Sequence, residues 1–295
     1  MSRKSLFHFV LVGFLWGIPY LLMKVAVEDF PPAAVVAGRT LIGASILIPI
    51  AIYRKKFKGA VLGFKFVAFY ALLEMIGPWI LITTAEQKIN SGLAGLLVST
   101  VPIFATIITS LRGDHSVWQF KRIVGIVLGF LGLILVVGIE SITGTSDPLS
   151  IAMVILASMG YAYAVIMVTS NLPLVDGIAI NGLAMALTAV VFFIPALRTA
   201  PTSMPSNRAL FALLALGLLC TALAFYLFFT LLRMIGPPKA STVTYPNTAI
   251  AIALGVIILH EPITVGMVLG FPLVLLGSYL AASRNTRGDF STSGK

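Results

Sequence analysis

Charge is what this chain has least of. Only 10% of its 295 residues are Asp, Glu, Lys or Arg, against 59% hydrophobic residues. A soluble domain carries about 25% charged residues to cover its surface, so a water-soluble globule is excluded, and with it a soluble enzyme. Disorder is excluded too, because disordered chains are poor in apolar residues. Cysteine is almost absent. Cys220 alone, inside the apolar run Leu216 to Phe229, permits no intrachain disulfide and no thiolate metal site. No Gly-rich loop ending in Lys-Ser or Lys-Thr occurs, so no P-loop ATPase is present. His-Glu-x-x-His is missing, and His8, His115 and His260 stand far apart at the edges of apolar runs. Neither a metal site nor a cofactor is expected. Asn-x-Ser/Thr sequons are also missing, which favours a bacterial membrane over a glycosylated eukaryotic one.

What remains is a bilayer protein. Apolar windows fall at about Leu6–Val27, Pro32–Tyr53, Phe66–Thr84, Ser91–Leu111, Ile123–Ile139, Leu149–Ser170, Gly177–Leu197, Ala209–Leu232, Ala240–Leu259 and Ile263–Ser283. Each approaches the roughly 20 residues a helix needs to cross hydrocarbon. The runs are continuous rather than alternating, which predicts helices and not barrel strands. Arg3 and Lys4 precede the first run as in a signal peptide. That run lacks a small-x-small cleavage site and reads as a retained first helix.

The net charge of +10 is a topology signal rather than a nucleic-acid footprint. With a cytoplasmic N-terminus, 15 of the 20 basic residues lie inside: Arg3, Lys4, Arg54, Lys55, Lys56, Lys58, Lys65, Arg112, Lys121, Arg122, Arg233, Lys239, Arg284, Arg287 and Lys295. Lys88, Arg198 and Arg208 lie outside, with Glu28, Asp29, Glu86, Glu140, Asp147 and Glu261. Both termini are therefore expected in the cytoplasm. The loop holding Arg198 and Arg208 runs against the rule.

The two halves resemble each other. Pro102 matches Pro246, Gly125 and Gly132 match Gly270 and Gly277, Gly17 and Tyr20 match Gly160 and Tyr163, and Pro49 matches Pro195, at offsets of 143 to 146 residues. This argues for duplication of a five-helix unit: residues 1–140, a short periplasmic linker at 141–147, a second unit at 148–284, and a cytoplasmic tail at 285–295. Five crossings are odd, so the second copy enters the membrane upside down. Inverted repeats of this kind build secondary transporters with a shared midplane site; the alternative is a duplicated scaffold. Gly125-x-x-x-Gly129 and Gly266-x-x-x-Gly270 sit in the fifth and tenth helices, where small residues allow close packing within the chain or against a second copy.

Phe14-Leu15-Trp16-Gly17, Lys24, Pro31-Pro32 and Gly38-Arg39 resemble the opening of an EamA-type member of the drug/metabolite transporter superfamily. Ser91 to Phe104, ending Ser99-Thr100-Val101-Pro102-Ile103-Phe104, is similar to that family's fourth helix. Its counterpart runs from Lys239 through Thr244-Tyr245-Pro246-Asn247 and on to Leu259-His260-Glu261-Pro262. The resemblance covers almost the whole chain. It implies an all-α polytopic fold of ten helices, two inverted five-helix repeats around a central cavity, exporting small metabolites from a bacterial inner membrane. The likeness is greatest to exporters of aromatic and other hydrophobic amino acids. The sixth helix has Met159-Gly160 where Trp-Gly would repeat, and the seventh has no arginine matching Arg39. A symmetric role for Trp16 and Arg39 is therefore not implied.

Two intramembrane charges stand out. Glu74 lies mid-span in Leu72-Leu73-Glu74-Met75-Ile76-Gly77-Pro78-Trp79. A carboxylate there costs several kcal/mol unless it is protonated, hydrated or paired. It could contact a substrate amine, carry a coupling proton, pair with Arg39, or bond a neighbouring helix as the neutral acid. Arg39, about 10 Å into its span at helical rise, could snorkel, pack, or hold a substrate carboxylate. Lys24 reads as interfacial. Gly17, Pro19, Gly77, Pro78, Pro102 and Pro246 weaken backbone bonding inside spans and are candidate hinges or static kinks. Trp16, Tyr20, Trp79, Ser99, Thr100, Tyr163, Tyr245 and Asn247 are candidate substrate contacts, with Tyr161 and Tyr226 in the same aromatic and hydroxyl set. Trp118 reads as an interfacial belt residue.

Overall fold

The computed structural model describes residues 2–113, 119–143, 147–201, 203–235, 240 and 243–282, with backbone only at 140–143. Trp118, His115, Lys239, the basic residues of the tail and residues 144–146 of the linker lie outside the described residues. Among the described residues eight helices are long and apolar enough to cross a bilayer: Arg3–Ala26, Pro32–Tyr53, Phe64–Ala85, Ser91–Leu111, Phe120–Ile139 (which runs on to Thr143), Pro148–Asn171, Gly177–Arg198 and Asn207–Ile235. Thr244–Leu259 and Val265–Ala282 are shorter apolar helices and complete the ten. They are called the first to tenth spans below. A further short helix, Phe57–Leu62, lies between the second and third.

Helix ends are set by local chemistry. Ser2, Asp147, Asp176 and Ser206 cap the first, sixth, seventh and eighth spans, each side-chain oxygen accepting a backbone N–H of the first turn. Pro32 opens the second span, where its missing N–H is no loss. Lys55 and His260 adopt left-handed backbone angles just beyond the second and ninth spans, turning the chain out of the helix.

The spans pair as an inverted duplication requires. The second packs on the seventh, the fifth on the tenth and the fourth on the ninth, each with its own counterpart. The first span meets the eighth and ninth, and the sixth meets the third and fourth, which is the same relation carried to the other copy. Loop contacts sort the ends. Glu28 with Arg208, Asp29 with Ser206, Lys88 with Asp147, and Ser91 with Glu261 all lie at one end, here termed the acidic end. At the opposite, basic end Gly59 meets Val175 and Gly63 meets Leu172.

Glycine decides how closely the counterparts approach. A Cβ on Gly277 would collide with the backbone of Gly129, and one on Gly125 with Ala281. The small-residue stripes of the fifth and tenth spans thus face each other inside one chain, where they lock the pair. The outward sides of these spans present Val127, Leu131, Ile134, Val268, Leu269 and Leu276, an apolar surface suited to lipid tails.

Gly277→Val is expected to destabilise the protein by about 1–3 kcal/mol through overpacking, read as a lowered unfolding midpoint in detergent. Gly138→Ala, whose added carbon meets nothing within 4 Å, should leave that midpoint in place.

Candidate functional site

Among the described residues two short π-helical segments interrupt the spans, Leu72–Ile76 in the third and Leu216–Leu223 in the eighth. They begin 144 residues apart, at matching positions of the two repeats. The first has an evident cause. Pro78 has no N–H to offer the Glu74 carbonyl, and Gly77 bonds back five residues to Leu72. The second contains no proline; Gly217 within it lets Ile42 of the second span pack against its backbone. Wide turns of this kind recur at functional sites because they turn side chains out of register. Here the first carries Glu74 and the second carries Cys220 and Thr221.

Arg39 reaches across to the second of these segments. Nε and Nη2 donate to Thr221 Oγ1 at 3.3 and 3.1 Å, and Nη1 approaches Met23 Sδ at 3.6 Å. The guanidinium lies over the Trp79 ring, 3.8 Å from its centroid. Arg39 is only 5% exposed, so it does not snorkel. No carboxylate pairs with it among the described residues. A buried cation without a counter-ion costs several kcal/mol. The cation–π contact, worth about 2 kcal/mol when desolvated, and the Thr221 bonds offset part of that. Two of the five N–H donors have no protein acceptor among the described residues.

Glu74 and Arg39 form no ion pair. The Glu74 Oε2 atom is buried with no hydrogen-bond partner among the described residues. Tyr161 of the sixth span stands within electrostatic reach of both Glu74 and Arg39 and beside Trp79. Tyr70, which also faces Glu74, donates to Asn181 Oδ1 at 3.1 Å. Tyr20 faces Arg39 from the first span. A cation on an aromatic plate and a carboxyl without a partner among the described residues thus both lie within electrostatic reach of one tyrosine.

The other sequence candidates divide. Ser99 and Thr100 break the fourth span between Val98 and Val101, and their hydroxyls donate to the carbonyls of Leu96 and Leu97 at 2.6 Å each. Ser158 also reaches the Leu97 carbonyl, and Ser278 takes that of Ser99 at 2.8 Å. Pro102 follows in the first turn of the resumed helix, and Pro246 occupies the first turn of the ninth span. Gly17 lies where a Cβ would strike Ile250 and the Asn247 carbonyl, so it serves close packing of the first span on the ninth. Pro19 sits within a continuous helix. Asn247 is buried beside that crossing, its Oδ1 without a partner. Trp16 packs on Phe225 and Phe228, Tyr163 on Phe69 and Tyr245 on Tyr279; Trp16 and Tyr163 border the core cluster that contains Met75 and Trp79. Thr221 and Met23 were not singled out by sequence. Their lateral position next to an arginine on another span leaves no mark in the chain; the 144-residue repeat offset, applied to Gly77-Pro78, would have pointed to Thr221-Ala222.

An all-helical, multi-span chain of two inverted repeats with ionisable groups buried at their junction has the architecture of a membrane transporter. The comparisons agree. The description "EamA-like transporter family" matches residues 3–138 and again 148–283, and the chain belongs to that family. It is 27% identical over 281 residues to the uncharacterized transporter YoaV of Bacillus subtilis, covering 94% of this chain and 96% of that protein. It is 26% identical over 284 residues to the uncharacterized inner membrane transporter YedA of Escherichia coli K12, covering 90% and 89%. Protein PagO of Salmonella typhimurium is 31% identical over 144 residues, 47% of this chain and 46% of that one. A chain of known crystal structure superposes with a TM-score of 0.65 at 14% identity, covering 95% and 97%, and shows the same fold.

Thr221→Val would leave two N–H groups of the buried guanidinium without their acceptor. The expected cost is about 1–3 kcal/mol, measured as unfolding in micelles, and Thr221→Ser should restore most of it.

Proposed function

We propose that this transporter exports small zwitterions with an apolar body, hydrophobic or aromatic amino acids, across a bacterial inner membrane by alternating access. The observation that carries the reading is that Arg39 and Glu74 each lack an ionic partner among the described residues yet both lie within electrostatic reach of Tyr161. The unengaged N–H donors of Arg39 suit a carboxylate, held in bidentate fashion. Glu74 suits an ammonium. Trp79 beneath the guanidinium and the aromatic rings of Tyr20, Tyr70 and Tyr161 suit an apolar side chain.

Orientation follows from charge. The basic end carries Arg54, Lys55, Lys56 and Lys58 and is assigned to the cytoplasm with both termini. The acidic end then faces the periplasm. The name of the YedA relative includes the words inner membrane, in keeping with this location. Because a cell holds amino acids at higher concentration inside, facilitated efflux needs no coupling ion. Proton coupling remains compatible with Glu74, and the transporting unit is read as a monomer.

Counterflow of labelled amino acids and of cationic drugs into proteoliposomes tests the reading. Exchange of hydrophobic or aromatic amino acids supports it; exchange of drugs alone would overturn the zwitterion assignment. Arg39→Lys should lower amino-acid exchange by about tenfold, because an ammonium cannot reproduce the planar fork. Glu74→Gln should lower it while leaving membrane insertion unchanged. Orientation is read in a Cys220→Ala background from Leu174→Cys and Met204→Cys, 98% and 94% exposed at the basic and acidic ends. A membrane-impermeant maleimide added to intact spheroplasts should label only Met204→Cys.

A further inference from the structure

Glu86 follows directly on the third span at the acidic end, where it counts as a surface charge by sequence. In the fold it is fully buried, and neither carboxyl oxygen has a hydrogen-bond partner among the described residues. Lys24 does not pair with it. The Lys24 ammonium donates instead to the carbonyl oxygens of Glu86 and Ile89, at 2.6 and 2.7 Å. Glu261, from the loop joining the ninth and tenth spans, clasps the start of the fourth span. Its oxygens accept from the Ser91 amide at 2.9 Å, the Ser91 hydroxyl at 2.8 Å and the Gly92 amide at 3.4 Å. The titratable groups facing Glu86 are Tyr20 and Lys24 of the first span and Glu261. At this end Gly92 and Gly95 seat the fourth span against Ile252 and Ala251 of the ninth, and Glu86, Ile89 and Leu93 are no more than 1% exposed, so these groups are closed off from water at the acidic end.

We propose that Glu86 is a proton-binding site that gates the acidic end: it holds a proton while that end is closed and releases it when the end opens. On opening, the Glu86 O–H bond breaks, the proton passes to water at that face, and the carboxylate is left beside Lys24. The Glu261 clasp on Ser91 parts in the same movement. Glu86 thereby has a role distinct from Glu74, which lies about 18 Å deeper along the same span at helical rise.

Burial drives the Glu86 carboxyl well above the usual carboxylate range; Lys24 opposes this and Glu261 adds to it. In the open state water restores an ordinary value. The closed state therefore binds the proton more tightly, is favoured in acid, and loses that advantage as pH rises through its own, elevated value. A more alkaline medium at the acidic end should open the carrier there.

The proposal rests on the transporter reading only in requiring that this end opens, so its test needs no substrate. Leu93→Cys, 1% exposed in the closed end, is placed in a Cys220→Ala background in proteoliposomes. Its labelling by an impermeant maleimide is normalised to Met204→Cys, exposed at the same end. Normalised labelling is expected to rise at least about fivefold between about pH 5 and 9, with a midpoint above the ~4.3 of a free glutamate. Glu86→Gln should abolish the dependence. Lys24→Met, which removes the cation favouring the carboxylate, should move the midpoint to higher pH. Flat labelling in the parent protein, or an unchanged profile in Glu86→Gln, would overturn the gate. Should Glu86→Gln fail to assemble, the parent profile and the direction of the Lys24→Met shift decide. A titrating gate in a protein that exchanges no amino acid would refute the substrate reading alone.

Discussion

Hydrocarbon offers no partner to a polar atom, and the interior of this protein is arranged around that fact. Every departure from a regular helix has to be answered from within the bundle. Where Ser99 and Thr100 interrupt the fourth span, four hydroxyls from three spans take up the carbonyls at the break. Where Pro78 withholds an amide, the third span widens into a π turn instead of exposing its backbone to lipid. The same rule makes the exceptions informative. Buried polar atoms without partners, such as those of Glu74, Glu86 and Asn247, are costly.

Duplication supplies the geometry. Because each repeat crosses an odd number of times, the second lies inverted against the first, and counterpart spans meet face to face. The fifth and tenth form a glycine-lined buttress, while the fourth and ninth cross near the acidic end. The π segments in the third and eighth spans bring Glu74 and Thr221 toward the junction from opposite copies. The chemistry placed on this frame is asymmetric. Arg39 has no counterpart in the seventh span, and the glutamate of one π turn is matched by Leu218 in the other. An asymmetric site in a pseudosymmetric shell suits a substrate with unlike ends, read here as the carboxylate and amine of an amino acid.

Charge is handled differently at three depths. Exposed pairs at the rim, Glu28 with Arg208 and Lys88 with Asp147, are solvated and contribute little. In the closed acidic end, Lys24 and Glu261 are satisfied by backbone and hydroxyl groups, and Glu86 is left over. At the centre, Arg39 is carried by an aromatic plate and a threonine in place of a counter-ion. A single ionic network joining all of them would be rigid.

The amino-acid sequence by itself determined that the chain is a helical membrane protein, where its spans run, that it is a duplication, and how deep each residue lies. Apolar run length, repeat offset and 1.5 Å of rise per residue are linear properties, and Glu74 and Arg39 were found by depth alone. Azimuth and partner were decided only by the tertiary structure, because they depend on how helices distant in sequence pack. Arg39 could have reached the surface, yet it turns inward onto Trp79 because the second span faces the eighth at Thr221. Ser99 and Thr100 looked like polar lining and turn out to cap their own broken helix. Glu86 looked interfacial and is fully buried, and Lys24 turns its ammonium onto the carbonyls of Glu86 and Ile89.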